Sequence, residues 1–322
     1  MKIFKKIAII IVVLFVLVML TKNFLIKSLI TSVGSNVLGA RVEIKGFSLG
    51  LFTQKIKIRD FKIYNPPGFT NDALINIQEV SVDFNVASIF KGTIHLPYIV
   101  FNLKEIIVVK NREGKLNVDA LKVLHSQQTG GDKIQPVLKD SQPLAIQIDL
   151  MRLNIDQVIF KDFSKGGEQP VIQVYEGIHD KTFKDITSVQ QLAMLIIVQG
   201  IAPTAIKSAA VYAAASFLGL SFFPASVVGA LIGKDSAVSE FDHPYNKVYE
   251  TVLMMIKKGG QIKTENQSTG IIKAKINGCD VTIKMEQLTK RKVQITISAR
   301  QMLLPKAEIA QGILYQISQK LK

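Results

Sequence analysis

The feature that most constrains this chain is an unbroken apolar run at residues 7–20, preceded by Lys2, Lys5 and Lys6 and followed by Lys22. The run is short for a membrane span of about 20 residues. Ile3, Phe4, Thr21, Phe24, Leu25 and Ile26 lengthen it, with the lysine stems snorkelling to the interfaces. A secretory signal peptide shares the charged start and apolar centre, but no small-x-small cleavage site follows. The chain continues Lys22-Asn23-Phe24-Leu25-Ile26-Lys27 instead. Residues 1–28 are therefore expected to persist as a transmembrane anchor. The lysines on the short N-terminal side put that side in the cytoplasm and the rest of the chain beyond the membrane.

Composition fits this placement. Hydrophobic residues make up 48% of the 322, and mean hydropathy is +0.27, high for a chain wholly in water. The net charge of +15 is uneven: residues 1–28 carry five lysines and no acid, and residues 238–322 carry 14 Lys and Arg against 7 Asp and Glu. Such a basic tail is a solvated surface or lies against anionic headgroups, and behind an anchor headgroups are a better match than nucleic acid. Cys279 is the only cysteine, which leaves no internal disulfide and no cysteine-rich metal site.

Beyond the anchor, residues 23–38 continue as a helix with Phe24, Ile26, Leu29, Ile30, Val33 and Val37 on its apolar side, and Gly39 is placed to end it. From Arg41 the apolar period changes from 3.6 to 2. Val42 and Ile44 alternate, then Ile56 and Ile58; at Asp60 the phase slips onto Phe61 and Ile63, which predicts a bulge. Asn65-Pro66-Pro67-Gly68-Phe69 is a turn. Further alternation runs through Ile75 and Ile77, then Val80, Val82 and Phe84, then Ile94, Leu96, Tyr98 and Val100, with Pro97 marking an edge or bulge. After a polar excursion at residues 125–143, strands resume at Leu144, Ile146, Ile148, Leu153, Ile155, Val158 and Phe160. Together these predict a long antiparallel meander with one apolar face.

The texture changes near Ser188. Residues 208–233 carry no charge and are long enough to span a membrane, but Gly219, Pro224 and Gly229 interrupt them and small residues dominate. A buried or membrane-lying helical hairpin, a second span and an ordinary core segment all remain open, and the hairpin is the favoured reading. The last segment reads helix (243–258), four alternating strands, helix (306–321).

Motifs with built-in chemistry are missing. His95, His125, His179 and His243 are scattered with no metal-ligand spacing, and His179-Asp180 and Asp242-His243 are the His–acid neighbour pairs. Gly46-Phe47-Ser48-Leu49-Gly50 matches the letters of the Gly-x-Ser-x-Gly elbow, but it lies within a run read as strand and does not lead into a helix, as a nucleophile elbow must. The chain has no phosphate-binding Gly-x-x-x-x-Gly-Lys loop and no His-Glu-x-x-His. A non-enzymatic protein without cofactor or metal is expected.

An ordered set of segments then resembles the N-terminal region of AsmA-like proteins of the bacterial envelope, over residues 1–165. The set comprises the anchor, Gly39-Ala40-Arg41-Val42-Glu43-Ile44, residues 46–52 (GFSLGLF), Ile56-Lys57-Ile58, Asn65-Pro66-Pro67-Gly68-Phe69 and Asn111-Arg112-Glu113-Gly114-Lys115-Leu116-Asn117. The resemblance implies an inner-membrane protein projecting into the periplasm, a curved sheet with an apolar groove, and a part in lipid traffic or outer-membrane homeostasis. Residues 238–322, with Phe241-Asp242-His243-Pro244-Tyr245-Asn246-Lys247-Val248-Tyr249, look like a small bacterial domain of unknown function.

The expected architecture is a membrane-anchored α+β protein. It comprises a transmembrane helix (1–28), a curved antiparallel β module (29–187), an apolar helical segment (188–237) and an α-β-β-β-β-α domain (238–322). The candidate lipid-facing residues are Ile56, Ile58, Val80, Val82, Phe84, Ile146 and Ile148; Lys2, Lys5, Lys6 and Lys22 flank the anchor. The expected partners are membrane lipids, with an envelope protein bound by the C-terminal domain as the alternative.

Overall fold

The computed structural model describes residues 21–125, 145–165, 169–204, 206–220, 236–302 and 304–321. The apolar run at 7–20, with Lys2, Lys5 and Lys6, lies outside them, as do most of the 125–143 excursion and the second half of 208–233. Among the described residues no helix is long and apolar enough to cross a membrane.

Helix α1, described over residues 21–38, ends where expected: Gly39 takes φ +68° and its N–H closes on the Ser35 carbonyl. The helix then runs back along the first strand, β1 (Val42–Gly50). Ser35 Oγ accepts from the Val42 N–H at 3.1 Å, Lys27 Nζ donates to the Lys45 carbonyl, and Asn23 Oδ1 accepts from the Leu49 N–H at 3.2 Å. Polar side chains of α1 thus occupy backbone groups that an edge strand leaves open to aggregation. Ile30, Val33 and Val37 face the core, whereas Phe24 and Leu29 are exposed, contrary to the periodicity reading.

Strands β1, β2 (Lys55–Tyr64), β3 (Ala73–Asp83), β4 (Thr93–Lys110), β5 (Ala145–Asp162) and β6 (Val171–Ile186) form one six-stranded sheet in chain order. The expected all-antiparallel meander is wrong at one junction. β4 and β5 pair in parallel along their whole length, from Thr93 with Ala145 to Lys110 with Asp162. A parallel neighbour requires a crossover of a dozen residues or more, and residues 111–144 supply it. They include the short helices η1 (Val118–Ala120) and α3 (Lys122–His125).

The phase slip at Asp60 also has a different form from a simple bulge. Asp60 has φ +50°, yet β1 and β2 keep one register on both sides of it. Strands β1, β2 and β3 all slip at this level, so their apolar faces move together. The register shift falls instead between β3 and β4, around Ile77 and Glu79. Pro97 sits where β3 has already ended, so its missing N–H costs no ladder bond on that side.

A short turn, α2 (Val86–Ile89), links β3 to β4. Helices α4 (Val189–Ile201) and α5 (Ala209–Phe217) follow β6 and share one core with the sheet, α3 and the end of α1. At the far end of the sheet Ile107, Val109, Ile159, Ile172 and Val174 form a cluster on the opposite face. The unbroken run Ile106-Ile107-Val108-Val109 is the sequence mark of this double burial.

The C-terminal part opens with a strand absent from the expected α-β-β-β-β-α order: β7 (Ser236–Phe241), paired antiparallel with the later strand β11 (Lys292–Gln301). Helix α6 (Tyr245–Gly259) precedes β8 (Gly260–Asn266), β9 (Ile271–Ile276), β10 (Cys279–Thr289) and β11 (Lys292–Gln301). A two-residue β12 (Leu304–Pro305) comes before α7 (Ala307–Lys320). Inward positions of β10 and β11 pack on α6 and α7 in a second core. Helix α7 also rests on β6, where Gly312 meets the backbone of Ile172.

Candidate lipid-facing site

The candidate apolar residues occupy one face of the six-stranded sheet. Cross-strand pairing sets Ile56 opposite Val82 and Ile58 opposite Val80. On β4, Ile99 and Phe101 continue these rows from Val82 and Val80. Ile94 and Leu96 then pair with Ile146 and Ile148 of β5. Phe84 lies just past β3, held by its N–H to the Gln54 carbonyl at 3.0 Å. The seven therefore belong to one continuous surface, in two groups bridged by β4.

Ile58, Val80, Val82, Phe84 and Ile148 are buried. Ile56 and Ile146 are half-buried against the same core, together with Leu49, Leu51, Val86 and Ile94. These six lie at the end of the sheet where α1 begins, while Phe61 and Phe160, half-buried on the same core, lie toward the other end. The opposite end closes on a polar knot: the fully buried Asn117 donates from Nδ2 to Asn65 Oδ1 (2.6 Å) and the Ile107 carbonyl (2.9 Å). Its Oδ1 accepts from the Val109 and Val118 N–H groups. The apolar interior thus has an apolar rim at one end and a hydrogen-bonded plug at the other.

The roof is built from α4 and α5. Ser188 caps α4 by accepting from the Gln191 N–H. Gly200 lets α4 approach the sheet so closely that a Cβ there would come 2.2 Å from Ile106 Cδ1. Helix α5 starts at Ser208, which accepts from the Val211 N–H and donates to Asp119 Oδ1. Its buried side chains are Ala210, Val211, Ala214 and Ala215, so each contributes little apolar area.

Of the anchor flanks only Lys22 is described. Its Nζ donates to the Leu49 carbonyl and to Asn23 Oδ1, tying the start of α1 to the rim.

Polar chemistry lies elsewhere. His95 Nε2 is 2.7 Å from Asp149 Oδ2, whose other oxygen accepts from Gln147. Glu105 accepts from Asn76 and Gln157. Asp180, next to His179, takes Arg152 at 3.8 Å instead. His243 contacts the Leu321 carbonyl. Among the described residues no three His, Cys, Asp or Glu side chains are grouped to hold a metal ion. Burial pushes the Cys279 thiol above its ordinary value, a setting for a packing residue and not a reactive one.

The sequence reading missed the rim-and-plug asymmetry. Its signal was present in Asn65 and Asn117, quoted above within two separate segments, but their pairing needs the turn and the crossover to meet in space.

Such an arrangement, a mixed sheet with one apolar face under a short-helix roof, defines a class of β-sheet proteins with a covered apolar interior. The model of the AsmA family matches residues 1–170, more than half the chain, and the protein belongs to that family. Membership carries an envelope-related function. No curated protein matches the chain.

Proposed function

We propose that this is a non-enzymatic, inner-membrane-anchored periplasmic protein that takes up lipid acyl chains on the inner face of its six-stranded sheet. In this reading it assists lipid transfer or envelope biogenesis. One observation carries the reading: the interior ends in a half-buried apolar rim (Leu49, Ile56, Ile94, Ile146) on the side where α1 leads back to the apolar run. The other end is closed by the buried Asn65–Asn117 hydrogen bond. Acyl chains entering at the rim gain about 0.8 kcal/mol per buried CH₂. The alanine-rich α5 is the part of the roof whose displacement exposes least apolar area.

The test is mass spectrometry of lipids retained by the purified full-length protein, beside an Ile56→Glu, Ile146→Glu variant. Phospholipid in the parent and its loss from a folded variant are expected. A parent free of lipid would sink the reading. A stoichiometric co-purifying envelope protein in its place would favour a structural role for the C-terminal module.

A further inference from the structure

Two loop tips at the rim end expose large aromatic side chains that no surface among the described residues covers. Phe52, in the β1–β2 turn, is 92% exposed, and Phe90, closing α2, is 87% exposed. Ile89 beside it is also exposed. The two tips are joined: Gln54 Oε1 accepts from the Val86 N–H and the Gln54 carbonyl from the Phe84 N–H, both at 3.0 Å. The β1–β2 turn is joined in turn to the start of α1, through Asn23 and Lys22 on Leu49. Both aromatics therefore project from the end of the sheet at which the chain arrives from residues 7–20.

Charge agrees with this geometry. Lys22 and the exposed Lys91 flank the tips, while Asp83, the acid closest in sequence to α2, is already paired with Lys55 at 3.4 Å. Exposed aromatics beside lysines, at the level where an apolar segment enters the fold, match the headgroup region of a bilayer. We propose that Phe52 and Phe90 insert into the outer interface of the anchoring membrane, so that the rim of the apolar interior is held against the lipid surface. The inference rests on the anchored reading above. It adds that the sheet is docked onto the bilayer and not merely tethered near it.

The chain contains no tryptophan, so a single introduced indole reports its own site. Four full-length variants are reconstituted in phosphatidylethanolamine–phosphatidylglycerol vesicles containing lipids brominated near the headgroup end of the acyl chains or, for the anchor reporter, near their methyl end. They are Phe52→Trp, Phe90→Trp, Leu14→Trp as an anchor reporter, and Met302→Trp. Met302 is 93% exposed and follows Gln301, which shares a cleft with Asp162 at the far end of the sheet. The expected result is blue-shifted, bromine-quenched emission at positions 52 and 90, with water-like, unquenched emission at 302. Unquenched indoles at 52 and 90 with a quenched one at 14 would overturn docking and leave the anchor standing. Quenching at 52 and 90 without quenching at 14 would support docking and remove the anchor. Quenching at 302 as well would overturn the end-on orientation.

Discussion

Asn117 Nδ2 donates to Asn65 Oδ1 across 2.6 Å, joining the Pro-Pro-Gly turn after β2 to the loop after β4. The same Asn117 side chain serves two backbone N–H groups and one carbonyl, all buried. Its exchange for Ala leaves the Val109 and Val118 N–H groups without acceptors, at about 1–3 kcal/mol each. We expect Asn117→Ala to cost about 2–5 kcal/mol, read from urea unfolding, and Asn65→Ala to cost less. A loss below about 1 kcal/mol would mean that water replaces the amide.

Gly200 and Ile106 define the separation of α4 from the sheet. A Cβ at 200 meets the Cδ1 end of Ile106 at 2.2 Å, a group able to shift by repacking. Gly200→Ala alone is expected to destabilise by about 1–3 kcal/mol through overpacking. Gly200→Ala with Ile106→Val removes the clashing methyl and adds helix propensity, so the double variant should be more stable than the two single effects sum to. Strict additivity in a double-mutant cycle would refute the contact.

At Gly312 no such relief exists, because the nearest atom is the Ile172 carbonyl oxygen, 2.0 Å from a Cβ placed there. Gly312→Ala is expected to loosen α7 from β6 while leaving the C-terminal core intact. Limited proteolysis between the modules should accelerate, whereas the isolated C-terminal fragment should resist as before.

Tyr315 gives that junction a pH dependence. Burial, helped by the charges of Glu105 and Asp72, pushes its hydroxyl from 10.0 up to about 12. An acid with a raised folded pKa holds its proton longer when docked than when free, so between these two values the separated state binds fewer protons. Stability of the junction then falls as pH rises. Proteolysis should accelerate as pH rises above 10.0, and a Tyr315→Phe variant should lose that acceleration. An unchanged profile in the variant would assign the effect to another group.

Much of the strand content was legible because alternation survives wherever one face is buried, as at Val80–Val82 and Ile146–Ile148. The partnering of strands was not. The parallel pair β4–β5 looks the same in alternation as an antiparallel pair, and only the length of 111–144 hints at a crossover. Strand β6 escaped because its second half, through Glu176, Asp180 and Lys184, faces solvent at the edge of its ladder and carries no alternation to read. Strand β7 is short and follows an apolar stretch, so its period was lost in its neighbour's composition. The apolar candidates were found by phase alone; which of them form a rim and which lie deep depends on where each strand ends.

Cys279 offers a test of which side of the membrane the protein occupies. It is the only thiol, 3% exposed, and its raised pKa keeps it protonated at neutral pH. Native labelling by a membrane-impermeant maleimide should therefore be slow and should accelerate in mild denaturant as β9 and β10 open. Helix α7 packs on β6, so the module and the sheet share one compartment, and labelling of one residue reports both. In bacterial cells with only the outer membrane permeabilised, brief denaturant is expected to expose Cys279 to the reagent. Protection until the inner membrane is broken would place both modules in the cytoplasm and reverse the orientation argued from Lys2, Lys5 and Lys6. A second span within 208–233 would not by itself explain such protection, because it would separate two modules that touch.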